Sequence, residues 1–528
     1  MNSQEILRFC LERGFLLDKE ILNLFNEEKD IESLKLIIEQ IKDYTNQRII
    51  TKHLFDQNKE KVMQIFSAFP KENQQRLEKL KVKLGLSIEI SKEFSIEKKA
   101  QKVIGIANQN LNEIKILSTI PNFTKKLEVS DFTKYFRNRL SEMKKILQSH
   151  VSLNNLVSIN KISGNKQGIS IIGMVSDKRT TQNRNILFDV EDLTGKIRVL
   201  INQNNKKLYE KAEEICLDSI VGFNGSGNNE IIFANDIIFP DSILQEKKRS
   251  PIEEYALFIG DIHFGSKLFL ENSFLKFIDY LNGKLGDRET DKIKYLFVVG
   301  DIIAGVGNYP NQERDLKIKD IEEQFIGLSE FLEKIRKDIK IIVSPGNHDG
   351  VRLMEPQPLL NEKYAWPIYD LKNILFTGNP SYVNIGSIKT FPGFDILTYH
   401  GVSFPYYANT IPRLIKEKAL NSPDKIMAYL LKNRHLAPSH SSTQYLPSEE
   451  DMLLIKKVPD IFVSAHTHKS AVSYYNNILT ISTSSWEGKT AYEEKMGNEP
   501  DFCKVPLFNL KTGAIKILDF EEDKEMLK

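Results

Sequence analysis

The sequence predicts a multidomain α+β protein with a helical N-terminal region, a small β-barrel and a C-terminal α/β layered domain. Apolar residues recur at helical spacing near the N-terminus, and short strands separated by turns fill residues 151–240. From about residue 250 onward, strands alternate with helices. A chain of 528 residues is also too long for a single hydrophobic core. At ~150 residues per domain, it should form about three or four compact units.

Residues 1–70 are predicted to form a helical domain, because apolar side chains such as Ile6, Phe9 and Cys10 recur at helical spacing. Residues 71–150 contain 17 Lys and Arg against 9 Asp and Glu. This composition is typical of a basic linker, within which a late amphipathic helix is expected near residues 132–147. Its positive charge is consistent with a nucleic-acid contact and equally with an ordinary solvated surface.

Residues 151–245 are predicted to form an OB-fold, a small closed barrel. The expected order is three strands, a helix and two strands, at residues 169–175, 186–190, 197–201, 204–215, 220–223 and 231–239. OB-folds bind single strands through aromatic side chains on a basic face. The candidate face here includes Phe188, Lys178 and Arg179. A barrel that serves only as a protein scaffold remains an equal alternative.

Residues 250–528 are predicted to form an α/β domain in which five apolar strands end in side chains of metal-binding type. The candidate ligands, in chain order, are Asp261, His263, Asp301, Asn347, His400, His466 and His468. Side chains at strand ends are held by rigid backbone, so their geometry is fixed before a ligand arrives. The intervals between the segments leave room for a helix and a return strand, so the ligands can meet at one sheet edge.

The candidate ligands combine carboxylate and amide oxygens with imidazoles, a set that suits Mn²⁺, Fe²⁺ or Zn²⁺. Seven ligands with one shared carboxylate suffice for two ions about 3.5–4 Å apart. Five of the nine histidines fall in these segments, an ordering that scattered structural histidines would not produce. Cys10, Cys216 and Cys503 lie far apart and away from the segments, which argues against a structural zinc site and predicts free thiols.

Residues 255–490 resemble the calcineurin-type metallophosphoesterases, whose motifs D-x-H, G-D, G-N-H-D/E, H and H-x-H match the five segments. The resemblance implies one ion held by Asp261, His263, Asp301 and His468. It implies a second ion held by Asn347, His400 and His466, with Asp301 shared between the two.

The same resemblance implies roles for two further residues. His348 would contact the scissile phosphate and protonate the leaving oxygen, and Asp349 would orient His348. The two ions would activate water and stabilise the charge that develops on the phosphate. Ala465 is a departure from the family pattern, which usually has glycine before the final histidine pair.

The order of helical region, basic linker, OB-fold and phosphoesterase resembles the small subunits of the archaeal family D DNA polymerases. Local segments that agree with that family lie at residues 189–195, 434–438, 447–451 and 458–461. The resemblance implies a two-metal, Mn²⁺-dependent 3′→5′ proofreading exonuclease that acts on DNA 3′ ends and single strands. It further implies a large catalytic subunit that this chain scaffolds, with a sliding clamp as an additional candidate partner.

Two other functions remain open from the residues: a catalytically silent assembly subunit, and a general metallophosphoesterase that acts on proteins or small esters. The longest apolar runs are too short to span a bilayer, and the N-terminus has no basic region followed by an apolar one. The expected location is therefore the cytoplasm, in association with the nucleoid. The formal net charge of +2 favours no class of partner.

Overall fold

The computed structural model describes residues 2–18, 21–22, 35, 38, 49–50, 114–118 and 126–522. The chain divides into two compact units, Met1–Asn112 and Glu113–Lys528. In the first unit, the described elements are helix α1 (Asn2–Glu12) and the short parallel strands β1 (Leu16–Leu17) and β2 (Ile49–Ile50). The rest of the predicted helical domain, and the first part of the predicted linker, lie outside the described residues.

Two described elements fall within the stretch predicted as a basic linker. Strand β3 (Ile114–Ile116) pairs antiparallel with residues 383–385, and helix α2 (Val129–Gln148) confirms the helix expected near residues 132–147. This part of the chain differs from a solvated linker because α2 buries Leu140 and Met143 in an apolar cluster shared with the barrel. Lys134 and Arg137, two of the basic side chains that suggested a linker, lie on the exposed face of the helix.

A fully buried ion pair holds α2 to the C-terminal domain. Arg139 Nε lies 2.6 Å from Asp451 Oδ2, and both side chains are at most 2% exposed. The hydroxyl of Tyr135 donates a 2.7 Å hydrogen bond to Asp451 Oδ1, and His435 Nε2 lies 2.9 Å from Oδ2. Burial opposes the charge of Asp451, but Arg139 outweighs burial and holds the pKa of this carboxyl well below its usual range.

Replacing Arg139 with methionine should lower the free energy of unfolding by about 3–5 kcal/mol, because the Asp451 charge then stays buried without its partner. Arg137 lies exposed on the same helix and provides a matched control. Arg137→Met should change the free energy of unfolding by no more than about 0.5 kcal/mol. Chemical denaturation of both variants measures the difference. Equal losses of unfolding free energy would show that the buried ion pair stabilises the fold no more than an exposed arginine does.

Five strands close a barrel in the order β4-β5-β6-β8-β7. They are β4 (Lys166–Thr180), β5 (Ile186–Glu191), β6 (Lys196–Ile201), β7 (Ile220–Gly227) and β8 (Ile231–Ile238). Helix α3 (Lys206–Glu213) lies between β6 and β7, so the observed order is three strands, a helix and two strands. All pairs are antiparallel except β6 with β8. Side chains such as Ile171 and Phe223 fill the interior.

The candidate nucleic-acid face of the barrel differs from the prediction. Phe188 is 0% exposed and packs in the barrel core, so its ring cannot stack on a base. Lys178 Nζ donates hydrogen bonds to the carbonyls of Glu213 and Ile215 at 2.8 and 2.9 Å. Arg179 is paired with two carboxylates of its own barrel. The alternation of side chains along a strand does not show which face of the strand lines the barrel interior, and here Phe188 faces the interior.

The C-terminal domain contains two six-stranded sheets. Besides β3, its strands are β9 (Tyr255–Ile259), β10 (Ile293–Val299), β11 (Lys340–Ser344), β12 (Ile374–Phe376), β13 (Ser381–Ile385), β14 (Phe394–Tyr399), β15 (Ile461–Ser464), β16 (Ala471–Tyr475), β17 (Ile478–Ser482), β18 (Lys504–Asn509) and β19 (Ile515–Asp519). The first sheet has the order β12-β11-β10-β9-β18-β19, and the second has β16-β17-β15-β14-β13-β3. Phe394 of β14 packs edge to face on Phe508 of β18 at 5.5 Å, so the two sheets are in contact.

The helices of this domain are α4 (Glu271–Leu281), α5 (Ile321–Glu333), α6 (Glu362–Tyr369), α7 (Phe404–Thr410), α8 (Pro412–Lys416), α9 (Pro423–Asn433) and α10 (Ala491–Met496). Residues of α4 and α5 pack with Leu257 and Val298 of the first sheet. Because both faces of its central parallel strands are covered, these strands are apolar throughout rather than alternating. No helix in the described part of the chain combines the length and hydropathy that crossing a membrane requires.

The barrel contacts the C-terminal domain through a partly buried carboxylate. Glu214, which follows α3, places Oε1 2.6 Å from Arg413 Nε and Oε2 2.5 Å from Lys432 Nζ. The Tyr429 hydroxyl also donates to the Glu214 carbonyl at 3.0 Å. These contacts fix the barrel against helices α8 and α9.

Candidate metal centre

The carboxyl ends of three adjacent parallel strands place the first candidate ligands together. The side chains that follow β9, β10 and β11 are Asp261, His263, Asp301 and Asn347. These strands are neighbours and pair in parallel, so their carboxyl ends meet at one edge of the sheet. The topology therefore gathers three separate sequence segments into one cluster.

Two parallel strands of the second sheet supply the other candidates. β14 runs into His400, and β15 runs into His466 and His468. The sheets approach closely at Gly300, whose φ is +75°, because a Cβ there would lie 2.3 Å from His400 Nδ1. Only glycine admits the His400 ring at this distance, and its positive φ is also one that glycine adopts without strain.

All seven candidates lie at one site, and short distances link their potential ligand atoms. His263 Nε2 lies 3.2 Å from His468 Nε2, which in turn is 3.9 Å from Asp261 Oδ1. On the other side, His400 Nε2 lies 3.1 Å from Asp301 Oδ2 and 2.9 Å from Asn347 Oδ1. Potential ligand atoms gather in three overlapping sets: Asp261, His263 and His468; His263, Asp301 and His348; Asp301, His400 and His466.

Five candidate ligands have backbone in the left-handed region, which residues other than glycine rarely adopt. The φ angles are 48° at Asp261, 49° at His263, 49° at Asp301, 69° at His466 and 53° at His468. Each such residue costs on the order of 1–3 kcal/mol and persists only where its surroundings fix it. Such strain concentrates at functional sites, and here the sharp bends turn the side chains toward one another.

The donor set fits divalent ions. Asp261 Oδ1 is buried and makes no hydrogen bond within the described part of the chain, although Oδ2 accepts from the His466 amide at 2.9 Å. A buried carboxylate oxygen without a partner is costly unless a cation offsets it. The 3.2 Å between the Nε2 atoms of His263 and His468 is close to the ~3.3 Å that two nitrogens about 2.0–2.1 Å from one tetrahedral ion would span.

Burial and opposing charges set the protonation of the cluster. Burial raises the pKa of Asp261 to about 6, against the lowering effect of His468. Burial also opposes the charge of Asp301, but His400 outweighs it and holds the pKa of Asp301 well below its usual range. Burial lowers the pKa of His466 to about 3, so this imidazole stays neutral with a lone pair to offer. Burial opposes the charge of His400 and of His468, but Asp301 and Asp261 outweigh burial and raise the pKa of each ring to about 9. Because metal binds ionised carboxylates and neutral imidazoles, an ion would displace a proton from each of these two rings.

His348 and Asp349 occupy the site, but their relation differs from the one expected. His348 Nδ1 lies 2.8 Å from the Ala304 carbonyl, which orients the ring, and the His348 amide donates to Asp301 Oδ1 at 2.7 Å. Asp349 instead accepts hydrogen bonds from the amides of Gly346 and Ile303, at 2.7 and 3.1 Å. Asp349 therefore ties together the loops after β10 and β11 rather than orienting the His348 ring.

Three residues that the sequence analysis did not single out support the cluster. Asn379 Oδ1 accepts from the His400 amide at 2.9 Å, and Asn379 Nδ2 donates to Gln357 Oε1 at 2.7 Å. Glu493 Oε1 lies 2.8 Å from His468 Nδ1. No local motif marks these positions, because each reaches the site from a loop or helix distant in sequence. Only a general rule pointed to such residues: the ring nitrogen of a metal-binding histidine that does not bind the metal has a hydrogen-bond partner.

The structure accommodates Ala465 without backbone strain. Ala465 is 0% exposed, its φ lies outside the left-handed region, and its amide donates to the His400 carbonyl at 2.9 Å. We expect Ala465→Gly to lower the free energy of unfolding by about 0.5–1 kcal/mol, because glycine loses more backbone entropy on folding. Metal affinity and hydrolysis should not change. Denaturation and metal titration measure both effects, and a large gain in hydrolysis would show that Ala465 limits the site.

Comparison with known proteins gives a consistent set of relatives. The calcineurin-like phosphoesterase family model matches residues 256–470. The DNA polymerase II small subunit of Methanothermobacter thermautotrophicus is 37% identical over 399 residues, covering 74% of this chain and 80% of that protein. The small subunits of Pyrococcus furiosus and Archaeoglobus fulgidus are each 36% identical, and the matches cover 64% and 78% of their lengths. The match thus spans a little less than two thirds of the Pyrococcus protein.

Proposed function

Since the chain belongs to the family of archaeal DNA polymerase II small subunits and carries a calcineurin-like phosphoesterase domain, we propose that it is a two-metal 3′→5′ DNA exonuclease. We propose that it also scaffolds a large polymerising subunit and proofreads for it. The observation that carries the proposal is the convergence of seven candidate ligands and His348 at adjacent strand ends. A silent assembly subunit would have no need for the strained backbone that aims five of these side chains.

In the proposed site, Asp261, His263, Asp301 and His468 hold one ion, and Asn347, His400 and His466 complete the second, with Asp301 shared. Two divalent ions, Mn²⁺ in this proposal, would supply positive charge for the phosphate and lower the pKa of water. The chain's own residues position the ligands and their charges. The strained strand ends hold the ligands in place, and the buried position of Asp301 keeps its charge between the two groups.

The proposed general acid is His348. Its Nδ1 faces the Ala304 carbonyl, so Nε2 is the nitrogen left for the substrate. In 3′→5′ hydrolysis the leaving atom is the 3′ oxygen of the shortened strand, and His348 would give it a proton. Asp349 contributes indirectly, because it holds the loops that carry His348 and Asp301.

We assign the barrel to the OB-fold class, with a scaffolding role. Its three strands, helix and two strands support the class. The buried Phe188 and the paired Lys178 and Arg179 favour a protein contact over strand binding at that face. The proposal includes a location in the cytoplasm at the nucleoid, a DNA substrate with a single-stranded 3′ end, and a sliding clamp as a further partner.

The test uses a primer–template with a mismatched 3′ end, Mn²⁺, and the chain alone or with its purified large subunit. We expect a 5′-labelled primer to shorten one nucleotide at a time with release of mononucleotides. Internal cleavage, or shortening from the 5′ end, would contradict the polarity. Binding of the large subunit without hydrolysis would favour a silent assembly subunit. Faster turnover of p-nitrophenyl phosphate than of DNA would favour a general phosphoesterase.

A further inference from the structure

Glu493 contacts the candidate metal centre through one imidazole. Its Oε1 lies 2.8 Å from His468 Nδ1, and its side chain is nearly buried. On the opposite edge of the same ring, His468 Nε2 lies 3.2 Å from His263 Nε2 and 3.9 Å from Asp261 Oδ1. The two ring nitrogens therefore have different surroundings: Nδ1 meets a carboxylate, and Nε2 meets the candidate ligands.

The Glu493 carboxylate is itself held in place at its other oxygen. Oε2 accepts hydrogen bonds from the Thr490 amide and the Thr490 hydroxyl, both at 2.8 Å. The Thr490 hydroxyl in turn accepts from the Glu493 amide at 3.2 Å, which completes a capping box at the start of α10. With both oxygens engaged, the carboxylate cannot turn away from His468 without breaking the helix cap.

We propose that Glu493 is a positioning residue that fixes the tautomer and ring orientation of His468 for metal binding. This inference rests on the proposed metal site. An ionised carboxylate only accepts hydrogen bonds, so His468 must present Nδ1–H to it. The lone pair then remains on Nε2, the nitrogen that faces Asp261 and His263, and the adjacent negative charge makes that nitrogen a stronger donor to a cation.

A neighbouring carboxylate shows that proximity alone does not produce this arrangement. Glu487 Oε2 lies 4.0 Å from His263 Nδ1, beyond hydrogen-bond distance. Glu487 therefore does not fix the His263 tautomer as Glu493 fixes that of His468. The carboxylate contact therefore acts on the part of the candidate metal centre that contains His468.

The substitution Glu493→Gln tests the idea because an amide cannot satisfy both neighbours. If the Gln oxygen faces His468, its NH₂ group opposes the Thr490 amide. If the NH₂ group faces His468 instead, Nδ1 must accept and the proton moves to Nε2, which then has no lone pair for an ion. Glu494→Gln, at an exposed position of the same helix, is the matched control.

Mn²⁺ titration by calorimetry of the full chain is the measurement. We expect Glu493→Gln to weaken the binding of one of two ions by about 10–100-fold, the usual effect of losing such a partner. Glu494→Gln should bind both ions like the unmodified chain. Thr490→Val removes the cap hydroxyl but keeps the Glu493 carboxylate and the Thr490 amide that donates to its Oε2, so the Mn²⁺ affinity should stay much closer to that of the unmodified chain.

The outcomes separate this inference from the proposed function. Unchanged binding of both ions by Glu493→Gln would overturn the inference and leave the metal site intact. An equal loss in Thr490→Val and Glu493→Gln would also overturn it, since the effect would then come from the helix cap. If the unmodified chain bound no Mn²⁺, the proposed metal site would fall, and the inference with it.

Discussion

Replacing Asp301 with asparagine should reduce the rate of phosphodiester hydrolysis about 10³-fold or more. This loss exceeds the about 10²–10³-fold that is typical when one hydrogen-bond donor to the transition state is removed. Asp301 belongs to two of the three ligand groups. Its Oδ2 lies 3.1 Å from His400 Nε2, and its Oδ1 accepts from the His348 amide at 2.7 Å. Asparagine keeps the shape but removes the charge that would lie between two cations.

Loss of metal should accompany the loss of rate. Calorimetric titration of Asp301→Asn should show at least one of the two Mn²⁺ ions bound much more weakly. Asp338→Asn, at an exposed position, is a control that should hydrolyse DNA and bind metal like the unmodified chain. Undiminished hydrolysis in Asp301→Asn would show that the activity belongs to another site or to a contaminant.

Replacing His348 with alanine should reduce DNA hydrolysis by about 10²–10⁴-fold, the range for a general acid, while both Mn²⁺ ions still bind. The loss should depend on the leaving group. A p-nitrophenyl ester of thymidine 5′-phosphate releases a stable anion that needs no proton, so its hydrolysis should fall much less than that of DNA. The ratio of the two losses measures the proton transfer separately from phosphate binding.

Two results would contradict this role of His348. An equal loss on both substrates would show that His348 binds the phosphate without protonating the leaving oxygen. Loss of one Mn²⁺ ion would show that His348 is itself a metal ligand. The geometry permits this, because the potential ligand atoms of His348, His263 and Asp301 lie in one group.

The architecture of the C-terminal domain was accessible from the sequence because its central strands are buried on both faces. Such strands are continuous apolar runs, and each run ends at a polar segment such as Gly300-Asp301 or His466-Thr467-His468. Parallel pairing then brings the ends to one edge, as the β9–β10–β11 order does. The convergence of the candidate ligands thus follows from rules that act on short segments.

The parts that sequence reasoning missed depend on contacts between distant segments. The outward charge of α2 suggested a linker, whereas its inner face packs on the barrel and Arg139 pairs with Asp451, 312 residues away. Phe188 has the chemistry of a stacking residue, but its direction depends on how the barrel closes. Asp349 follows His348 in sequence, yet its carboxylate faces backbone amides instead. A sequence pattern does not show in which direction each of these side chains points in the folded protein.

Anomalous diffraction from Mn²⁺-soaked crystals of the chain tests the central claim most directly. Data collected at the manganese edge should show two peaks, one among Asp261, His263 and His468 and the other among Asn347, His400 and His466, with Asp301 between them. The distance between the peaks should be about 3.5–4 Å. The absence of manganese at this cluster under saturating Mn²⁺, or a single ion that leaves one group of ligands empty, would contradict the account.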